Sequence, residues 1–165
     1  AAEQALLATA RELGVSAVSL RIAGIYGPGR GAYVRIRNGT YRVVGAGNTM
    51  ISRIHVDDLV KAIELVATVS PLPFDVFNVA DDEPTSSRVF ADGVAEMLGV
   101  SPAPSVDPAE VSLEARAMLG ADRRIGNARL KSIGFTCSYP TWRQGVAAAV
   151  NEDGLDSGRT NDAGR

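Results

Sequence analysis

One cysteine, one histidine and one tryptophan are all that this chain carries of those three residue types. A lone Cys137 excludes an internal disulfide framework and fits a reducing compartment, the cytoplasm by default. One His and one Cys cannot supply the ligand set of a structural zinc site. Long apolar runs are missing as well: no window approaches the roughly 18 uninterrupted apolar residues that suggest a membrane span. No basic stretch followed by an apolar one opens the chain, so no secretory signal is expected. Excess charge of one sign is also absent. Seventeen basic and nineteen acidic residues leave a formal net charge of −2, which argues against non-specific nucleic-acid binding. Lysine is nearly missing, with only Lys61 and Lys131 against fifteen Arg. A GC-rich genome accounts for that bias; anion recognition by guanidinium forks is the functional alternative.

What is present is an ordinary globular composition: 165 residues, 45% hydrophobic and 22% charged, enough for one domain. Ala2, Ala5, Leu6, Leu7, Ala10 and Leu13 recur at helical spacing, and Gly14 follows as a stop. That helix opens with no Ser, Thr, Asp or Asn cap, as an element cut into would. SAVSLRIAGIYG reads as a buried strand running into a Gly27-Pro28-Gly29 turn. GAYVRIRNG predicts one or two helical turns. TYRVVGAGNTMISRIHV predicts two short strands joined as a hairpin around Gly45-Ala46-Gly47-Asn48. Asp57-Asp58 opens a helix with Leu59, Ile63 and Val66 on one face. FDVFNVA is a strand, ADDEPTSS a solvated polar turn, and Thr85 or Ser86 the cap of a helix that Gly99 ends. SPAPSVDP is a stiff surface connection, EVSLEARAMLG a helix, and Asn127 the cap of ARLKSIG. Thr141-Trp142-Arg143-Gln144 is a capping box. From Asn151 to Arg165 the only large apolar residue is Leu155, so a disordered tail is expected after a domain over 1–150. Helices alternate with buried strands, which is the pattern of an α/β chain.

Two glycine-rich segments imitate dinucleotide fingerprints. Gly24-Ile25-Tyr26-Gly27-Pro28-Gly29 follows a strand, but Pro28 removes an amide and the next helix is short. Val43-Val44-Gly45-Ala46-Gly47-Asn48 leads into an alternating strand rather than a helix. Neither is expected to carry a cofactor phosphate. His55 has no serine and acid at usable spacing, so it reads as a structural hydrogen-bonding group. Arg53, Arg123, Arg124 and Arg129 are candidate anion binders, each with surface charge as its plain alternative.

Four segments, in order, resemble a known family. Leu20-Arg21-Ile22-Ala23-Gly24-Ile25-Tyr26-Gly27-Pro28-Gly29-Arg30 is similar to the strand and loop after the catalytic helix of extended short-chain dehydrogenases/reductases. Arg53-Ile54-His55-Val56-Asp57-Asp58-Leu59 resembles the start of their following helix. Phe77-Asn78-Val79-Ala80-Asp81 resembles a later strand. Arg124-Ile125-Gly126-Asn127-Ala128-Arg129-Leu130, with Tyr139-Pro140-Thr141-Trp142-Arg143-Gln144-Gly145, resembles the end of the epimerase/dehydratase-like branch.

The resemblance implies the C-terminal half of a Rossmann-like fold: late parallel strands, flanking helices and a small substrate-binding lobe. The glycine-rich NAD(P) loop and the Tyr-x-x-x-Lys pair of the family are not in this sequence. NAD(P) is therefore the cofactor implied for the complete protein, and none is expected to bind this chain alone. The implied partners are the missing N-terminal NAD(P)-binding half, a small carbonyl or hydroxyl substrate and a second copy in a homodimer. Neither nucleic acid nor membrane is expected. By resemblance, Ala23, Gly24 and Ile25 would face the nicotinamide, and Tyr26, Arg30, Arg53 and Arg124 would line the substrate. No residue of this chain is assigned a catalytic role. Gly24 stands where nucleotide-sugar epimerases commonly have Asn, and Ile51 where they have a phosphate-binding Arg. Both departures argue against a nucleoside-diphosphate sugar. The alternative for Arg53 is an ion pair with Asp57 or Asp58. The alternative for the whole chain is a non-catalytic sensor module of the same fold, or a truncated product without activity.

Overall fold

The computed structural model describes residues 2–113 and 122–162, with side chains described through Gly154. Helix α1 (Ala2–Glu12) leads into strands β1 (Ser19–Ile22) and β2 (Gly24–Tyr26), then the short helix α2 (Ala32–Arg37). Three short strands follow, β3 (Val43–Val44), β4 (Met50–Ile51) and β5 (Arg53–His55), and then helix α3 (Val56–Thr68). Next come β6 (Val76–Val79), β7 (Thr85–Ser86), α4 (Ser87–Leu98) and β8 (Ser105–Val106). A 3₁₀ turn at Pro108–Glu110, α5 (Ala128–Ser132) and α6 (Trp142–Asp162) complete the described order.

The strands pair mainly in parallel: β1 with β6, β2 with β5, β3 with β8; only β4 and β7 run antiparallel. The expected single strand over Val18–Ile25 is broken at Ala23. There the chain leaves one partner and joins another: the Ala23 amide donates to Val79 O and the Gly24 amide to Ser52 O.

The local signals explain most boundaries. Ser86 Oγ accepts from the Val89 amide at the start of α4, and Gly99 ends it at φ +65°. The Thr141 amide donates to Gln144 Oε1, closing the capping box at α6. His55 caps α3, its Nδ1 accepting from the Asp57 amide at 3.2 Å, so the lone histidine is a structural hydrogen-bonding group as expected.

Other expectations are corrected. The hairpin around Gly45–Asn48 does not form, because β3 and β4 pair with β8 and β7 instead. Gly47, at φ +70°, lies so close to α4 that a Cβ would come within 2.8 Å of Arg88 Cβ. Its carbonyl accepts from the Arg88 amide and Ser87 Oγ, so the turn is spent on docking the helix. The proline-rich connection contributes β8 rather than running free over the surface. Asn127 does not cap α5 with its side chain; Nδ2 donates to Ala80 O and Asp82 Oδ1. The helix expected over EVSLEARAMLG lies largely outside the described residues. The expected tail is helical from Asn151 through Asp162 as the continuation of α6, and Asp153 is tied to the lobe.

Two cores result. One gathers Phe77 and Val79 of β6, Leu59, Ala62 and Val66 of α3, and Leu130 of α5 around Ile54. The other forms the small lobe, with Tyr26, Tyr33, Val43, Phe90, Val94, Trp142 and Val146. β5 stands between them: Ile54 enters the first core while Arg53 and His55 face the second, as strand alternation requires. On the far side, Leu6, Leu13, Val15, Ile22, Val60 and Ile63 are exposed. A groove of about 760 Å³ runs between α1, β1 and α3, lined by Leu7, Val18, Leu20 and Ile63. No described helix is long and apolar enough to cross a membrane.

Candidate functional site

In open α/β sheets, ligand crevices form at the carboxyl ends of parallel strands, where the chain switches partners. Ala23 and Gly24 occupy such a point. Ala23 is buried, Gly24 exposed and Ile25 half-buried against the first core. Beside Gly24 there is room: a Cβ would meet only Ser52 O, at 3.5 Å.

Ser52, buried between β4 and β5, organises this edge. Its Oγ donates to Arg123 O at 3.0 Å and accepts from the Ile125 amide at 2.9 Å. The Arg123 amide in turn donates to Met50 O, and the Met50 amide to Asp122 Oδ1. Residues 122–125 are thereby fastened next to Gly24, bringing Arg124 to the same edge. Arg124 is exposed and lies 4.0 Å from Asp122. Sequence reading missed Ser52; the one available signal is a small hydroxyl in the alternating stretch Ile51-Ser52-Arg53-Ile54.

Tyr26 and Arg53 are placed elsewhere, inside the lobe. Tyr26 is 3% exposed, its hydroxyl against Gly145 and its ring edge-on to His55. Burial pushes its phenol well above the ordinary tyrosine range. Arg53 is 6% exposed, with its guanidinium 3.7 Å from the centre of the Phe90 ring and Nη1 donating to Ile51 O. It makes no ion pair with Asp57 or Asp58, and burial lowers its pKa. Both proposed roles for Arg53, cleft anchor and partner of the α3 acids, give way to a stacked cation in the lobe core. Arg30 remains exposed on the loop closed by paired Gly27 and Arg30 backbone bonds of 3.1 and 2.9 Å. Arg129 is committed to Val76 O and the Phe74 ring.

The acidic turn is not simply solvated. Asp82 pairs with Lys131 and Glu83 with Arg143 at the surface, but Asp81 is 2% exposed. Its amide donates to Arg53 O at 2.7 Å, while Oδ1 accepts from the Glu83 amide. Burial raises the Asp81 carboxyl to about 7, outweighing the attraction of Arg53. The fold thus favours its protonated form. That stabilisation is full below the unfolded value near 4 and is lost as pH rises through 7. Asp81→Asn is expected to remove on the order of 2 to 3 kcal/mol of pH dependence between pH 5 and pH 8. Urea midpoints at the two pH values check this; parallel wild-type and variant curves would refute it.

The described residues fit NAD(P) only in part. Among the described residues no glycine loop opens a helix that could cradle a pyrophosphate: a Cβ at Gly27 would strike Val56, and α2 has six residues. The open edge at Gly24 could admit a flat ring. Among the described residues no group of three or more His, Cys, Asp or Glu could hold a metal ion.

Comparison with known proteins bears on the fold. The model of the NAD dependent epimerase/dehydratase family matches residues 1–80. A functionally unknown conserved protein from Silicibacter pomeroyi DSS shares 34% identity over 84% of this chain and 50% of its own, with a TM-score of 0.73. UDP-glucose 4-epimerase of Thermotoga maritima, solved with UDP-glucose, shares 21% over 94% of this chain and 51% of its own, at 0.74. A human epimerase family protein solved with NADPH shares 20% over 83% and 49%, at 0.72. No curated protein sequence matches. The chain spans about half the length of these structures. Over residues 1–80 the chain thus resembles the NAD dependent epimerase/dehydratase family, and it shares the Rossmann-like α/β fold of these structures.

Proposed function

We propose that this chain is the C-terminal, substrate-binding portion of an NAD(P)-dependent oxidoreductase acting on a small carbonyl or hydroxyl compound in the cytoplasm. The observation that carries the reading is the open edge at Gly24, on the partner switch between β6 and β5. The half-length coverage and the bare groove beside α1 and β1 support a preceding half that supplies the dinucleotide phosphates' site. The cofactor would supply hydride exchange with the substrate. This chain would supply Gly24 and Ile25 against the ring, with Arg30 and Arg124 flanking the substrate. Tyr26 and Arg53 support the lobe from within.

Two measurements test the reading. Titration calorimetry of the isolated chain with NADH and NADPH is expected to show no binding in the micromolar range. In the protein carrying its preceding half, Gly24→Ala is expected to leave the melting temperature unchanged, since the methyl finds room. Turnover should fall about tenfold or more, because a misplaced reacting ring is costly. Unchanged turnover would remove Gly24 from the site. Cofactor binding without turnover in the complete wild-type protein would favour the sensor alternative.

A further inference from the structure

Three donors from the lobe converge on one carboxylate near the end of the described side chains. The Gly29 amide donates to Asp153 Oδ1 at 2.6 Å, and Arg37 Nη1 to Oδ2 at 2.8 Å. The Tyr33 hydroxyl lies 3.0 Å from Asp153 Oδ2 and 3.0 Å from Gly27 O, with one proton to share between them. Arg37 supplies the counter-charge, and the Asp153 side chain is 13% exposed.

The loop that receives this contact is seated at its base, where Gly27 is buried against Val56, and has little packing at its tip. Gly29 and Arg30 are exposed, and a Cβ at Gly29, where φ is +66°, would touch nothing within 4 Å. Apolar burial therefore does not set the position of the Gly29–Arg30 end, which the Gly27–Arg30 backbone pair and Asp153 hold. The Tyr33 ring, fully buried in the lobe core, anchors the Gly27 end, and Asp153 anchors the Gly29 end from α6. α6 itself is seated through Trp142, Val146 and Ala149, one to three turns earlier. A charge-assisted bond to a main-chain amide is short and directional, so the carboxylate fixes the loop's height as well as its attachment.

We propose that Asp153 is a positioning residue that latches the Gly27–Arg30 loop to α6 and thereby sets where Arg30 stands at the edge of the site. The substrate side of this statement rests on the function proposed above; the latch does not.

Amide exchange in the 165-residue chain tests the latch directly. In Asp153→Ala, Gly29 and Arg30 are expected to exchange about tenfold or more faster, with amides of α3 and β5 unchanged. Asp153→Glu, which keeps the charge, should recover part of that protection. Arg37→Gln leaves the amide contact in place and should loosen the loop less, which guards against a poorly folded alanine variant. Unchanged exchange at Gly29, or equal acceleration of every amide, would overturn the latch. In the protein carrying its preceding half, Asp153→Ala should raise KM several-fold with kcat within about twofold. A loosened loop with an unmoved KM would keep the latch and remove the loop from the substrate site.

Discussion

Asp58→Ala is expected to destabilise the protein by about 2 to 4 kcal/mol, because two backbone amides lose a carboxylate acceptor at about 1 to 3 kcal/mol each. Asp58 is fully buried at the start of α3, and its two oxygens accept from the Ser138 and Tyr139 amides at 2.8 and 2.9 Å. Lys61 lies 3.8 Å away and also contacts the Ser138 hydroxyl. The carboxylate thus ties the loop before α6 to the helix that begins at β5. It also holds the Tyr139 ring 4.3 Å from the His55 ring. Asp58→Asn keeps one acceptor and turns an amide toward the other backbone N–H, so its loss should be smaller, about 1 to 3 kcal/mol. Chemical denaturation with an unchanged m-value measures both. A loss below about 1 kcal/mol in the alanine variant would mean that water replaces the carboxylate.

Gly145→Ala should also be costly, although helix propensity alone predicts a gain of about 1 kcal/mol. A Cβ at Gly145 would fall 2.0 Å from the Tyr26 hydroxyl oxygen and 2.7 Å from Cζ. Tyr26 is locked between His55 and the lobe core, so it cannot swing clear. Overpacking of that kind typically costs 1 to 3 kcal/mol, and the overlap here places the net loss near ~3. Tyr26→Phe alone is expected to cost little, because the buried hydroxyl has no described hydrogen-bond partner to lose. Combined with Gly145→Ala, it removes the worst contact and leaves the second. The double variant should therefore be more stable than Gly145→Ala alone, and a double-mutant cycle reads the coupling directly. Strict additivity would show that α6 shifts away rather than pressing on Tyr26.

What could be read from the sequence was what depends on near neighbours. Ser86, Gly99 and the Thr141–Gln144 box act within one helical turn, and each acts as expected. The α/β character also followed from alternating element types, and the parallel strands from the family resemblance. Pairing partners did not, because β3 and β4 are two residues long and carry no register information of their own. Their partners lie in β8 and β7, roughly 35 to 60 positions further on. The buried charges were hidden for the same reason. Nothing beside Arg53 in the chain announces Phe90, and Asp81 looks like its exposed neighbours Asp82 and Glu83. Asp153 was hidden by composition: a polar stretch reads as tail unless one knows that Gly29 waits for its carboxylate.

The placement of β5 makes any division of this molecule near residue 80 artificial. Its Ile54 and Arg53 project into opposite cores, and the Asp81 amide crosses to Arg53 O immediately after the stretch shared with the family model. A three-residue strand is thus a party wall between two rooms. A cut at Ala80 would strip the plaster from both sides: α3 would keep Ile54 but lose α5 behind it, and Arg53 would be left facing water without Phe90. Neither piece should fold separately. Limited proteolysis should spare the Ala80–Asp81 bond until the whole molecule opens, and two pieces should complement when co-expressed but not when mixed after separate expression.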